Sequence, residues 1–434
     1  MAEIRPFAGW RYDAGVAGDL TAVVAPPYDV IDDAHRDRLY DRSPHNVVRL
    51  ILGREADRYG AAAACLRQWR EQHVLVRDRQ PALYLYSQEF PLEGEVRIRS
   101  GIIGAVRLEP FDRGVIRPHE KTLSGPKADR LKLMDATRTN LSPIFCLYAG
   151  ASKTLDEART TAAARPPLAD LIDEFGVRHL LSAVSDPAVA AGIAAELAPR
   201  TIYIADGHHR YETALAYRDE LAAGGALPPD HPANFVMMYL CSTADPGLVI
   251  LPTHRLVGGL AGFDAKAFLG VLGSAFQLRQ FPDTDAGASE LQAALRAAAA
   301  GSFGFAVRGA GALHLATLAD SGLMAREAPG VAPEVRALDV SLLDVVVLRK
   351  LLGVDAHEAA QDGRLRYVKE AADALASVRR GQADVACLLN ATRMDEVARV
   401  CDAGETMPEK STYFHPKLGS GFVFHSLESE EAGS

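Results

Sequence analysis

Between positions 201 and 217 the chain changes its period. Thr201, Ile202, Tyr203 and Ile204 form a β-branched and aromatic run, which predicts a strand. Asp206-Gly207 breaks the run. Beyond it Tyr211, Ala214, Leu215 and Arg218 recur at the spacing of a helix with one packed face. The pattern predicts a strand, a tight turn and a helix, with the turn delivering Asp206, His208, His209 and Arg210 to a helix N-terminus. Such an end attracts anions through its backbone N–H groups and dipole, and an arginine there adds a fork for phosphate.

The same reading runs along the rest of the chain. Val23-Val24 reads as a strand end, Pro26-Pro27 as an extended exit, and Asp29 as a loop residue. In 43–52 a polar head leads into a β-branched strand carrying Arg49. A helix is expected over 56–76, packed through Leu66 and Trp69. Two strands, 82–90 and 96–108, joined at Glu93-Gly94, predict a hairpin. Pro118 and Gly125-Pro126 are expected to keep His119, Glu120 and Lys127 on irregular backbone, followed by a short helix at 131–138 and a strand at 142–148. Helices are read at 168–175 and 188–197, and strands at 234–241 and 247–255, with His254-Arg255 just beyond Pro252. Region 262–318 alternates helix and strand. After it come helices at 337–352, 371–380 and 392–403 and a strand at 384–389. The tail 428–434 is expected to fray. The whole describes a mixed α/β (α+β) chain.

Length and composition narrow the class. At 434 residues the chain is too long for one ordinary core. The reading divides it into an N-terminal α/β part (1–100), a core carrying the DGHHR turn (101–260), a small α/β accessory unit (261–330) and a C-terminal α/β part (331–434). Hydrophobic content of 48% and charged content of 24% describe a folded, soluble chain. With no 18-residue apolar run and no N-terminal apolar h-region, neither a membrane partner nor a secretory leader is expected. Five cysteines without a CxxC pair fit a reducing, cytoplasmic setting as core filler. A net charge of −9 argues against nucleic acid as a partner; a homo-oligomer is compatible with the chain.

Against that background two islands stand out. Segment 113–138 carries seven Lys or Arg against three acids, which suggests an acidic ligand. Segment 407–418 gathers Lys410, Lys417, two hydroxyls, Tyr413 and His415 around two prolines, ahead of a Gly-Ser-Gly that permits close backbone approach.

APPYDV, HNVVRL, IRPHE, GPKADRL, NLSPIF, IADGHHRYETAL, LPTHR and MPEKSTYFHPKLGSG together resemble the family called domain of unknown function 1015, across 25–421. More distantly, IRPHE followed by DGHHRYETA resembles the paired boxes of the ParB/sulfiredoxin superfamily, and most of all its free-serine kinases. The resemblance implies a ParB-like nucleotide-binding core within 101–260. It implies Glu120 as the acidic catalytic residue and Asp206, His208, His209 and Arg210 as the phosphate and metal turn, with Asp206 and His209 in catalytic roles.

The chemistry expected is phosphoryl transfer from a nucleotide, ATP or ADP, to a small hydroxyl-bearing metabolite, free serine among the candidates. Such transfer demands positioning and charge neutralisation, usually with Mg²⁺. Arg210, Gly207 and His208 at the helix end would hold one phosphate and Lys127 or Arg130 another. Asp206 is a hard oxygen donor suited to Mg²⁺, and Glu120 would accept the proton of the attacking hydroxyl. His119, Asp29, His254, Arg255, Lys410, Tyr413 and Lys417 are read as substrate-facing or supporting. Two other classes stay open: a nucleotide-sensing regulator without fast turnover, and a metal-dependent hydrolase. For the zinc version of the hydrolase, His208 and Glu212 share a helix face but no HExxH-type spacing appears.

Overall fold

The computed structural model describes residues 1–120, 124–225 and 227–429. Lys121 of the basic island and positions 430–434 of the tail lie outside them. The chain divides into two compact units. Unit 1 comprises Met1–Pro118, Thr122–Val249 and the C-terminal return Pro416–Ser434; unit 2 comprises His119–Lys121 and Ile250–His415.

Unit 1 is built on a nine-stranded mixed sheet. In spatial order its strands are Ile116–Arg117, Ile202–Asp206, Ile144–Tyr148, Phe235–Ser242, Glu95–Arg107, Leu83–Leu92, Arg178–Val184 and Ala169–Ile172, with Ile4–Arg5 paired onto Glu95–Arg107. The long hairpin turns at Glu93 and Gly94, both at positive φ, the backbone a tight two-residue hairpin turn requires. Phe235–Ser242 is apolar almost throughout because both its faces are covered. Ile202–Asp206 runs parallel to Ile116–Arg117, with Ile202 opposite Ile116 and Tyr203 opposite Arg117. The two motif-bearing strands, IRP and IADG, therefore lie side by side and point the same way. A second cluster of unit 1, around Leu39, Val48, Leu66 and Trp69, packs the N-terminal helices.

Unit 2 holds a six-stranded antiparallel sheet in the order Phe276–Pro282, Ala312–Leu318, Ser302–Val307, Val385–Leu388, His254–Val257 and Leu365–Val368. Helix Asp285–Ala297 buries Ala288, Leu291 and Leu295 in its core, a helical spacing.

Four local expectations change. The β-branched run near position 47 is a short helix, Val48–Ile51, and Leu20–Val23 is helical too. Asn46 decides both: its side-chain amide donates to Ala22 O and Val24 O, while its Oδ1 accepts from Val48 N. Tertiary bonding overrides strand propensity there. At 168–175 the chain forms the strand Ala169–Ile172, whose alternating burial is a period of two, not a helical one. His254-Arg255 follows the short strand Val249–Leu251, as expected, and itself opens another, His254–Val257. Lys127 sits inside the helix Ser124–Thr137, because a proline in a first helical turn removes no needed donor.

Candidate functional site

The turn after Ile202–Asp206 is closed by Gly207 at φ +93°, in the left-handed region that glycine enters without strain. The sixteen-residue helix His208–Ala223 follows at once. Arg210 folds back over the turn. Its Nη2 donates to Asp206 Oδ2 at 3.0 Å and its Nη1 to Pro143 O at 2.7 Å. A Cβ on Gly207 would stand 2.8 Å from Arg210 Nη2. Gly207→Ala is therefore expected to destabilise by about 1–3 kcal/mol and to displace the guanidinium, measured as a lowered urea midpoint.

The third member comes from the C-terminal return. Lys417 Nζ donates to Asp206 Oδ1. Side-chain exposures of 17% for Asp206 and 14% for Arg210 and Lys417 leave little water to screen the three charges. Burial alone would raise the Asp206 pKa; Lys417 and Arg210 overcome it and hold the carboxyl down at about 2.

Lys417 is delivered by a strapped backbone. Gln88 Nε2 donates to Lys417 O at 2.9 Å, and Arg99 Nη2 donates to Pro416 O at 2.5 Å. Ala25 and Ser420 exchange backbone hydrogen bonds, tying the AVVAPPYDV segment to the Gly-Ser-Gly. Gly421, at φ +100°, lets that strand pass close to Val24 and Val47.

Around this triad the GPKADRL helix contributes twice. Lys127 Nζ meets Glu212 Oε2 at 2.6 Å, one turn along the DGHHR helix, so Glu212 serves Lys127. Arg130 donates to Ile51 O and lies over the Tyr28 ring, 4.1 Å from its centroid. Burial raises the Tyr28 pKa against the opposing charges of Arg210 and Arg130. Tyr28, Arg130, Asn140, Ser142, Arg210 and Thr213 line a cleft of about 510 Å³ counting the part open to solvent, of which only about 50 Å³ admits water, and its remaining wall is largely apolar. Its lining, apolar with a charged end, is of the kind small organic ligands use. Asp29 is exposed beside Tyr28; His208 is buried and His209 half-buried at the helix start.

A different set gathers in unit 2. His119 Nε2 lies 2.7 Å from Thr412 Oγ1, and Glu120 forms a parallel bridge with Met407. Arg255 is buried, donates to Thr253 O and Lys410 O, and lies over Tyr367. Burial lowers its pKa, opposed by Tyr367, Asp344 and Glu120 among others. His254 Nδ1 accepts from Leu389 N, and burial, then Arg255, pushes its pKa down to about 4. Tyr413 accepts from Lys369 Nζ at 2.6 Å. The named residues thus sort into Asp29, Lys127, Arg130, Asp206, Gly207, His208, His209, Arg210 and Lys417 in unit 1, and His119, Glu120, His254, Arg255, Lys410 and Tyr413 in unit 2.

Sequence reasoning missed Tyr28, Gln88 and Arg99. The signal available was weak: a Gln and an Arg among several other polar side chains of the same hairpin. Four of the five cysteines are poor nucleophiles, since burial raises Cys65 to about 11 and Cys241 and Cys387 to about 12, and Cys146 further; the fifth, Cys401, is buried. Among the described residues no three His, Cys, Asp or Glu side chains stand together as a metal site, and no helix is long and apolar enough to cross a membrane.

Comparison with known proteins gives a family and distant likenesses. A family model described as protein of unknown function (DUF1015) matches residues 4–341, so Lys417 lies beyond the matched part. No curated protein matches the chain. Among solved structures, a free serine kinase variant in complex with ADP is similar at 12% identity and a TM-score of 0.36, covering 73% of this chain and 88% of that one. A conserved hypothetical protein from Pyrococcus furiosus is similar at 13% identity and 0.35, covering 78% and 98%. SbnI from Staphylococcus aureus, truncated at its C-terminus, is similar at 14% identity and 0.36, covering 76% and 90%. Likenesses this distant assign no residue and no ligand here.

Proposed function

The chain belongs to the DUF1015 family of proteins of unknown function, and we propose that it is a nucleotide-dependent phosphotransferase acting on a small hydroxyl-bearing metabolite. The observation that carries the reading is the placing of Lys417 on Asp206 beside Arg210, at the start of a long helix and next to a cleft. Two cations and one carboxylate leave the turn with a net positive charge. Asp206 holds both cations in place before a ligand arrives, and an incoming phosphate competes with it for their N–H groups. The helix end adds only about 0.3–2 kcal/mol, so Arg210 and Lys417 supply most of the attraction. A nucleoside would lie against the apolar wall beside Tyr28 and would have to widen the cleft, of which only about 50 Å³ admits water.

The acceptor, free serine or a related hydroxy compound, rests on the resemblance of the two boxes, as does Glu120 as the group that takes the hydroxyl proton. Asp206 does not fit as a ready Mg²⁺ ligand, because both its oxygens are engaged by cations. No step is therefore derived through a metal held there.

The test is a thermal-shift panel of AMP, ADP and ATP, with and without Mg²⁺, on the full chain. A ligand at 100 times its Kd stabilises by about 2.7 kcal/mol, a shift of several degrees. Wild type is expected to shift and Arg210→Ala to lose the shift. Absence of any shift in wild type overturns the reading. A shift without phosphoryl transfer to serine or a panel of hydroxy acids removes the transferase and leaves a nucleotide binder. Where transfer is seen, Glu120→Gln is expected to slow it by roughly 10²–10⁴-fold.

A further inference from the structure

Unit 1 carries another cleft, about 1030 Å³ counting the part open to solvent, that the phosphotransfer reading does not use. Its lining includes Arg5, Arg70, Arg77, Trp10, Phe235 and His425. The cations are held against rings: Arg70 lies 4.7 Å from the Trp10 centroid and Arg5 4.3 Å from that of Phe235. Arg70 also donates to Thr139 Oγ1, and its side chain is only 17% exposed. Two acids, Asp230 and Glu428, share the lining, the latter 3.6 Å from Arg70 Nη1. Three arginines and two acids therefore line the cleft, and Arg5 is also paired with Glu3.

Two buried donors there lack partners among the described residues. Arg70 Nε makes no hydrogen bond. His425 is 7% exposed, packs its ring on Phe7 at 4.7 Å, and leaves Nε2 without a partner. Burial, then Arg77, lowers the His425 pKa to about 4, so at neutral pH the ring is uncharged and can present an N–H from Nε2. A buried polar group left unsatisfied costs about 1–3 kcal/mol, and such groups call for an explanation.

We propose that this cleft binds a small organic anion with a flat apolar body, its phosphate or carboxylate taken by Arg70, Arg77 and His425 and its ring lying against Trp10 and Phe235. A guanidinium fork matches both anions, and aromatic walls favour a planar body. The site is independent of the Asp206 turn.

The probe is phenyl phosphate, titrated into the full chain by calorimetry and by tryptophan emission, with inorganic phosphate and benzoate as further arms. Saturable millimolar or tighter binding that alters the emission is expected. Trp10→Phe should abolish the emission change while heat of binding persists. Arg77→Gln, at an exposed position, should weaken binding about tenfold or more, and His425→Gln should weaken it as well. Arg210→Ala removes phosphate binding at the Asp206 turn and should leave the tryptophan-emission titration of this cleft unaltered. Benzoate binding as tightly as phenyl phosphate marks a carboxylate ligand; weaker benzoate binding marks a phosphate ester. No saturable binding overturns the proposal. So does an emission change lost in Arg210→Ala but kept in Arg77→Gln, or inorganic phosphate binding as tightly as the aryl ester.

Discussion

Asp206→Asn is expected to be among the most damaging single changes in unit 1, lowering stability by about 2–5 kcal/mol. The amide keeps the shape but removes the charge that both Lys417 and Arg210 face. Two cations are then left together with little water and no counter-charge. Urea unfolding of Asp206→Asn, Lys417→Met and the double variant measures it. The double variant should recover much of the loss, giving a coupling energy of more than about 1 kcal/mol. Additive losses would mean that the two side chains do not share the energy the geometry implies.

The same triad predicts an acid response with a definite sign. The Asp206 carboxyl titrates at about 2 in the folded protein against an ordinary 3.8. A depressed folded pKa contributes stability that is complete above the unfolded value and is lost as pH falls through the folded one. The difference is worth about 2 kcal/mol. Wild type should shed that amount between about pH 4 and 2, while Asp206→Asn shows a correspondingly flatter profile over the same window.

The local form of this site was legible in the sequence; its assembly was not. The strand at 201–204, the break at Asp206-Gly207 and the helix with Tyr211 and Ala214 inward all follow from periodicity, since each is set by neighbours a few residues away. Lys417 was visible only as one of two lysines in a polar island. Its pairing with Asp206 depends on Gln88 and Arg99, which lie on a hairpin far from both in sequence. Periodicity holds no record of such a contact. Lys127 and Arg130 were read as phosphate ligands from charge density alone. Charge counts cannot register that Glu212 and the Tyr28 ring would meet them. The run near position 47 failed for a related reason: one side chain, Asn46, bonds across more than twenty residues and fixes helix where β-branching favours strand.

Arg99 supplies the second large effect. It is fully buried, lies 4.5 Å from the Phe145 ring centroid, and donates through Nη2 to Gln88 Oε1 and Pro416 O. Arg99→Met preserves much of the volume but leaves both acceptors without that donor. At about 1–3 kcal/mol for each buried group so exposed, the loss should total roughly 2–5 kcal/mol. The consequence reaches further than stability. Gln88 and Arg99 act on successive carbonyls, those of Lys417 and Pro416, so the variant frees the backbone that carries Lys417 to the turn. A nucleotide-induced thermal shift should therefore shrink in Arg99→Met even after correction for its lower starting Tm. A core variant of similar cost away from the strap, Leu291→Ala in unit 2, should keep the full shift. Equal shifts in the two variants would separate Arg99 from the turn and reduce it to a packing residue. A shift lost only in Arg99→Met would establish that the C-terminal return is held in place for the sake of Lys417.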